Sequence, residues 1–303
     1  MSTKTVLSIL FFVIAISLLI LYWLVPTQNI NLNFAPKNPN FFIGNTTGSL
    51  QFYENMRYPS SEISYTISDC TLQKNSDMKE AFDFIENKTI LTFIEKTSGG
   101  EIFVTCDEKN RLKEDGFFIA GEGGPSEITK TNNFNVILAG EILLIKKSKC
   151  PKPNVAIHEL LHALGFDHSA NSENIMYNVS DCSQTIGYEI PNEINNIYQY
   201  PQYQDLAFEN ISISIDGKYL STNISLRNHG LKESENSILK IYADENEITE
   251  FNIDSINIGY GTQIISTNIK LPNRNIETLN FAILTNNQEL NSSNNKQEFS
   301  IKV

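Results

Sequence analysis

The N-terminus contains a continuous apolar stretch that differs from the rest of the chain. An uncharged run extends from Val6 to Val25 and is followed directly by Pro26. A helix of this length covers about 30 Å at 1.5 Å per residue, which equals the hydrocarbon thickness of a bilayer. Proline cannot continue the helix, because it lacks the backbone N–H and clashes with the preceding turn. The pattern predicts a transmembrane helix within residues 1–25.

Charges beside this helix predict its orientation. Lys4 precedes the apolar run, and no further Lys or Arg follows until Lys37. Positive residues favour the cytoplasmic side, so we expect a single-pass protein of the cell membrane with residue 26 onward outside. The alternative is a cleaved signal peptide, which would make the protein secreted. Either location is oxidising, and cysteines there are expected to form disulfides.

The next part of the chain changes from polar to mixed character. Residues 26–60 are rich in Asn, Pro, Thr and Gly and are predicted to be an extended linker. Residues 61–202 combine short apolar runs with one helical pattern at Ser76–Asn87, which predicts an α+β domain. Its strands are predicted at Ile63–Ile67, Leu91–Thr97, Glu101–Cys106 and Phe134–Lys147.

Apolar and polar residues alternate in the last hundred residues. The alternation is clear at Ile211, Ile213 and Ile215 and returns near Phe281 and Phe299. Short alternating strands separated by Gly, Asn and Pro predict an all-β, immunoglobulin-like sandwich over residues 203–303. Its segments LRNHGL, KIYADENEI and ELNSSNN resemble those of a CARDB-type module of cell-surface proteins.

Composition and charge narrow the range of functions. The chain has 303 residues, of which 41% are hydrophobic, and this is enough for two domains with their own cores. The formal net charge is −12. No broad basic surface is therefore available to neutralise phosphates, and nucleic acid is not expected as a partner.

Three of the four histidines lie in one short segment, HELLHALGFDH. His158 and His162 are one helical turn apart and project from the same face, so both imidazoles can bind one ion. Gly165 can end the helix in a left-handed conformation, which returns His168 to the same ion. Three imidazoles leave one position open for water, as in catalytic zinc sites. Glu159 beside the first ligand is then the expected general base for hydrolysis.

The same residues resemble a known family of enzymes. HELLHALGFDHS at residues 158–169, with NIMY at 174–177, is similar to the metzincin zinc metalloendopeptidases. Ser169 after the third histidine is most similar to the matrixin branch. The resemblance implies Zn²⁺ bound by the three histidines, Glu159 as the base and Met176 in a tight turn beneath the ligands. It also implies a twisted, mainly parallel sheet, a protein or peptide substrate paired with an edge strand, and a specificity pocket beside the Met turn.

Cysteines can be placed on this family framework, although four cysteines allow three pairings. The topology implied by the resemblance puts Cys70 and Cys106 at the same edge of the sheet. Cys150 and Cys182 flank the zinc helix and the Met turn. We therefore expect bridges between Cys70 and Cys106 and between Cys150 and Cys182.

Several features depart from the family pattern or allow another interpretation. No PRCGxPD-like propeptide switch lies between the N-terminal helix and residue 61, and Tyr177 follows Met176 directly instead of one residue later, so we assign Tyr177 no catalytic role.

The stretch AGEGGPSE from Ala120 is interpreted as an exposed turn, with a Ca²⁺ loop as the alternative. A different class of function is a surface adhesion or binding protein with a catalytically idle metzincin-like domain. The intact Glu159 argues against that reading.

Overall fold

The computed structural model describes residues 3–24, 29–34, 49–108, 111–112, 118–146, 150–273 and 275–301. Within them the α-helices are α1 (Thr3–Leu24), α2 (Leu72–Glu86), α3 (Asn154–Ala163) and α4 (Glu189–Tyr198), with a 3₁₀ helix at Ser292–Asn295. The first strands are β1 (Asn29–Phe34), β2 (Met56–Arg57), β3 (Glu62–Ile67), β4 (Thr92–Glu95), β5 (Ile102–Cys106), β6 (Arg111–Leu112), β7 (Phe118–Ile119), β8 (Gly121–Lys130) and β9 (Asn135–Leu144). The later strands are β10 (Leu206–Asp216), β11 (Tyr219–Asn228), β12 (Ser237–Ala243), β13 (Asn246–Ile253), β14 (Gly261–Lys270), β15 (Thr278–Leu284) and β16 (Lys296–Ser300).

The predicted N-terminal helix is present as α1. In the part of the chain that the structure describes, no helix combines the length and the apolar character needed to cross a membrane. The predicted membrane anchor over residues 1–25 is therefore not supported.

The first domain is built on a six-stranded mixed sheet. Its strand order is β2-β9-β5-β3-β4. Strand β2 pairs with the start of β9 and β5 with its end, and β8 pairs with the opposite side of β9. All neighbours are parallel except β8, which runs antiparallel along β9 and forms the edge of the sheet. The buried faces of α2 and α3 share one core with the sheet, in which Phe82 of α2 stacks on Tyr65 of β3. The predicted α+β architecture is confirmed.

The prediction of a linker over residues 26–60 is wrong for two segments. Residues 29–34 form β1, which pairs with β10 along its whole length and packs Ile30, Leu32 and Phe34 against the sandwich core. Residues 49–60 belong to the first domain, because β2 pairs with β9 and Tyr58 is fully buried. The apolar side chains of both segments are spaced to face a core, and this outweighs their polar average composition.

The start of one helix and the conformation of one glycine-rich stretch also differ from the predictions. Helix α2 starts at Leu72, about one turn before the predicted Ser76, and Thr71 caps it by accepting a hydrogen bond from the Lys74 backbone N–H. The AGEGGPSE stretch forms a strand, where the sequence predicted an exposed turn. It forms most of β8, and its backbone follows β9 from Gly121 to Lys130.

The second domain is the predicted sandwich. One antiparallel sheet has the order β1-β10-β11-β14 and the other β13-β12-β15-β16. The alternating residues of the two inner faces, such as Ile213 and Phe281, form a continuous buried cluster. This is the packing expected when two sheets each bury one face.

The two domains touch through a small apolar contact. Phe134 and Val136 from the first domain and Leu231 from the second are buried together. Beside them, the Arg227 guanidinium donates to the Lys130 carbonyl at 3.2 Å. Gly259 lies so close to Thr129 that a Cβ there would be 2.3 Å from the threonine Oγ1. The sandwich is therefore seated against the start of β9 and the end of β8.

Candidate metal centre

Helix α3 places the first two histidines. Its Ala156, Ile157, Leu160 and Leu161 are buried in the core, which fixes the rotation of the helix. This orientation brings His158 and His162, each 6% exposed, to one side. The chain then leaves the helix through Gly165, where φ is +99° and a Cβ would come within 2.8 Å of the Met56 Sδ. Both the conformation and the contact require glycine at this position.

The three predicted histidines come together. One ligand nitrogen from each of His158, His162 and His168 lies within 4.8 Å of the others. The Nε2 atoms of His162 and His168 are 3.3 Å apart. Two nitrogen ligands at about 2.0–2.1 Å from a tetrahedral zinc ion lie roughly 3.3–3.4 Å from each other. The three imidazole donors and the spacing of the His162–His168 pair therefore fit zinc.

Backbone carbonyls fix the orientation of two of the rings. His158 Nδ1 donates to the Ile175 carbonyl and His162 Nδ1 to the Phe166 carbonyl, each at 2.7 Å. Because the proton of each neutral ring is held at Nδ1, the Nε2 lone pair is left for a metal. Burial lowers the pKa of His162, and this keeps its imidazole in the neutral form that a metal needs.

The segment after the third histidine forms a turn that is hydrogen-bonded to the cluster. Met176 is fully buried, and its carbonyl accepts a hydrogen bond from the Ser169 N–H at 2.8 Å. The Asn174 side chain accepts from the Met176 N–H, which closes the turn. The preceding residue, Ile175, supplies the carbonyl that orients His158. The turn thus connects directly to the cluster.

Both expected disulfides are present, and they leave no cysteine free. Cys150–Cys182 joins the chain just before α3 to the chain just after the Met176 turn, with a Cα–Cα distance of 5.2 Å. Cys70–Cys106 joins the ends of β3 and β5. The Cys150–Cys182 bridge therefore closes the segment that contains all three clustered histidines.

Glu159 lies beneath the edge strand. Its side chain is only 6% exposed. A Cβ on Gly123 would lie 2.3 Å from the Glu159 carbonyl oxygen, and one on Gly121 would lie 2.8 Å from its Oε1. Only glycine allows β8 to approach α3 so closely. The sequence analysis did not predict this contact. The signal for it was the spacing of Gly121 and Gly123, because residues two apart in a strand face the same side.

A small cavity lies beside the Met176 turn. Its volume is about 280 Å³, and it lies between α2, the start of α3 and residues 184–187. Ile157 and Ile175 contribute its apolar wall, and Lys88 and Lys152 also line it. Asn154 is 2% exposed, and its Oδ1 has no hydrogen-bond partner there. The cavity thus combines an apolar wall with a polar end.

The fourth histidine is separate from this centre. His229 follows β11 in the sandwich, as the turn position expected from its sequence neighbours, but its side chain is buried. Its Nε2 lies 2.5 Å from Glu209 Oε1. Burial lowers the pKa of His229 although Glu209 opposes the shift. A neutral ring that donates to Glu209 fits these surroundings, and we assign it a structural role.

Comparison with known proteins agrees with the site. Residues 51–180 match the model of the peptidase family described as Astacin. A comparison with curated proteins finds no match. Among solved structures, the CARDB domain of a Pyrococcus furiosus protein in complex with di-metal ions is similar at 17% identity over 33% of this chain and 87% of that domain. Its TM-score is 0.28, which is too low to support an argument about fold or function.

The family match corrects one expectation from the sequence. The matrixin branch rested on the single residue Ser169, whereas the match extends from before β2 to beyond the Met176 turn. The matched region contains all three clustered histidines. Residues 51–180 are therefore similar to the Astacin peptidase family, and the resemblance is not specific to the matrixin branch.

Proposed function

We propose that this protein is an extracytoplasmic zinc endopeptidase. His158, His162 and His168 hold the ion, and Glu159 is the general base. The observation that carries the proposal is the convergence of three imidazole nitrogens within 4.8 Å, two of them from rings oriented by backbone carbonyls. The two disulfides favour an oxidising compartment.

Each residue has a defined task in this reaction. Zinc held by His158, His162 and His168 would supply Lewis-acid chemistry, because it would lower the pKa of water to about 7 and polarise a carbonyl group. Glu159 is next to His158 on the same helix, so its carboxylate can accept the proton of the attacking water and pass it to the leaving amine. The close approach of β8 at Gly121 and Gly123 restricts the rotamers of Glu159.

The edge strand is the proposed binding surface for substrate. One side of β8 pairs with β9, and its other side is the edge of the sheet. Its residues are exposed or half-buried, with Pro125 and Glu127 near the middle. An extended peptide can add to such an edge through main-chain hydrogen bonds, which would direct it past Glu159. The cavity beside Ile175 is the proposed pocket for one substrate side chain.

The catalytic unit is proposed to start earlier than the sequence suggested. We assign it residues 49–202, because β2 and Tyr58 belong to its sheet and core. The sandwich then comprises residues 203–301 together with β1. We propose that the sandwich supports and spaces the catalytic unit.

The decisive experiment compares three forms of the full chain on an unfolded protein substrate with zinc present. Glu159→Gln keeps the shape of the side chain but removes the base, and we expect kcat to fall by roughly 10²–10⁴-fold. Zinc content, measured by elemental analysis, should not change. Glu173→Gln, at an exposed position beyond the cluster, is the matched control and should cleave as the wild type does.

Two results would reject the proposal. Equal cleavage by wild type and Glu159→Gln would remove the assigned base. A zinc-loaded wild type that cleaves no peptide bond in a broad peptide library would favour the idle binding protein instead.

A further inference from the structure

A short segment before β2 lies against the loop that carries the third histidine. The Phe52 N–H donates to the Gly165 carbonyl at 2.9 Å, and the Asp167 N–H donates to the Leu50 carbonyl at 2.6 Å. Between these bonds, Gln51 and Phe166 form an antiparallel bridge. We call residues 49–52 the strap. It forms a short two-stranded ladder with residues 165–167.

The strap also places an aromatic ring over a histidine of the cluster. The rings of Phe52 and His162 are stacked, with centroids 5.8 Å apart and planes at 22°. Phe52 is itself 38% exposed, so burial in the core does not account for its position. His162 is 6% exposed. Phe52 therefore covers one face of the ring and separates it from solvent.

The strap has anchors of its own away from α3. The Gln51 side chain donates to the Met56 carbonyl at 2.6 Å and accepts from the Met56 N–H at 2.9 Å. The Ser49 hydroxyl donates to Glu193 on α4. These contacts fix the strap relative to β2 and α4, so it can act as an independent support for the histidine loop.

The strap acts on His162 by two routes. The first runs through the backbone, because Gln51 pairs with Phe166, whose carbonyl accepts the His162 Nδ1 proton. The second is the stack itself. A histidine side chain turns broadly about its last torsion, and one hydrogen bond leaves part of that freedom. A ring held on one face as well loses less freedom when it binds a metal, so affinity rises.

We infer that Phe52 is a positioning residue for the metal centre: its ring holds the His162 imidazole in the orientation that binds the ion. The inference rests on the proposed function, because it takes His162 as a ligand. Phe52 touches neither substrate nor reacting atoms in this role. Its contribution is to the geometry of the ligand set.

The test measures zinc affinity by competition with a chromophoric chelator, using the full chain. An aromatic pair of this kind contributes about 0.5–1.5 kcal/mol; we therefore expect Phe52→Ala to weaken zinc binding roughly 2- to 13-fold. Phe52→Tyr keeps the ring and should bind zinc as the wild type does. Tyr53→Ala removes the neighbouring, 58% exposed aromatic residue and should also leave the affinity unchanged.

Thermal unfolding of the metal-free forms separates positioning from folding. The metal-free Phe52→Ala variant should unfold within a few degrees of the wild type, because its ring is more than one-third exposed. Unchanged zinc affinity in a folded Phe52→Ala variant would overturn the inference. Equal weakening by Tyr53→Ala would also overturn it. A wild type that takes up no zinc would instead reject the proposed function, so the two failures can be distinguished.

Discussion

The buried carboxyl group of Asp205 predicts how the stability of the sandwich depends on pH. Asp205 lies just before β10 and is 3% exposed. Burial raises its pKa from 3.8 to about 7, although the Asn294 amide, which donates to it at 2.8 Å, opposes the shift. The nearby Glu289 carboxylate raises the pKa of Asp205 further. The folded state thus prefers the protonated form of Asp205.

The sign of the effect follows from this preference. The folded pKa of Asp205 is above the unfolded value, so its contribution to stability is fully present below pH 3.8 and is lost as pH rises through about 7. Over that window the loss is at most about 4 kcal/mol, since each pKa unit corresponds to about 1.4 kcal/mol. Burial also raises the pKa of Glu289, which adds a loss of the same sign.

Asp205→Asn removes the charge and keeps an oxygen that can accept from Asn294. We expect this variant to raise the free energy of unfolding at pH 8 by about 2–4 kcal/mol and to change it little at pH 4. Urea unfolding followed by circular dichroism measures both values. Asp254→Asn, at an exposed position of the same sandwich, is the matched control and should show no gain at pH 8. An Asp205→Asn variant that is no more stable than wild type at pH 8 would refute the reasoning.

Three further variants test the contact of β8 with α3, one disulfide and the contact between the domains. Gly123→Ala places a methyl group 2.3 Å from the Glu159 carbonyl oxygen, so β8 must shift and kcat/KM should fall roughly 10- to 100-fold while zinc content stays constant. Replacing both Cys150 and Cys182 by serine should lower stability by about 2–5 kcal/mol in non-reducing thermal unfolding. Leu231→Asp buries a charge at the domain contact and should cost roughly 3 kcal/mol, with faster limited proteolysis between the domains. Unchanged values in any of these assays would contradict the corresponding contact.

The metal centre could be predicted from the sequence because its three histidines lie close together along the chain. His158 and His162 are related by one helical turn, and Gly165 marks the point where the chain turns back to His168. The periodicity of a helix therefore fixes most of the geometry before the fold is known. The alternation of the sandwich strands is local in the same sense, and the sandwich was predicted correctly.

The missed features depend on contacts between distant segments. The glycines of β8 indicated a turn, yet Gly123 is required by the approach of a strand to Glu159, which only the folded chain reveals. In β1 the alternation of Ile30, Leu32 and Phe34 was present, but the partner strand lies far away in sequence, so the polar composition was given more weight. A single residue such as Ser169 carries too little information to choose a family branch.

The first domain and the sandwich are connected at two points of the chain. The chain contributes β1 to the sandwich, enters the first domain through the strap at residues 49–52, and returns to the sandwich at β10. The first domain is therefore connected to the same sandwich before β2 and after α4. Removal of residues 203–301 would expose Phe134 and Val136 at the start of β9 and leave β1 without its partner. Because β8 pairs with β9 along its whole length, loss of the sandwich should disturb the position of β8 before it disturbs the histidine cluster.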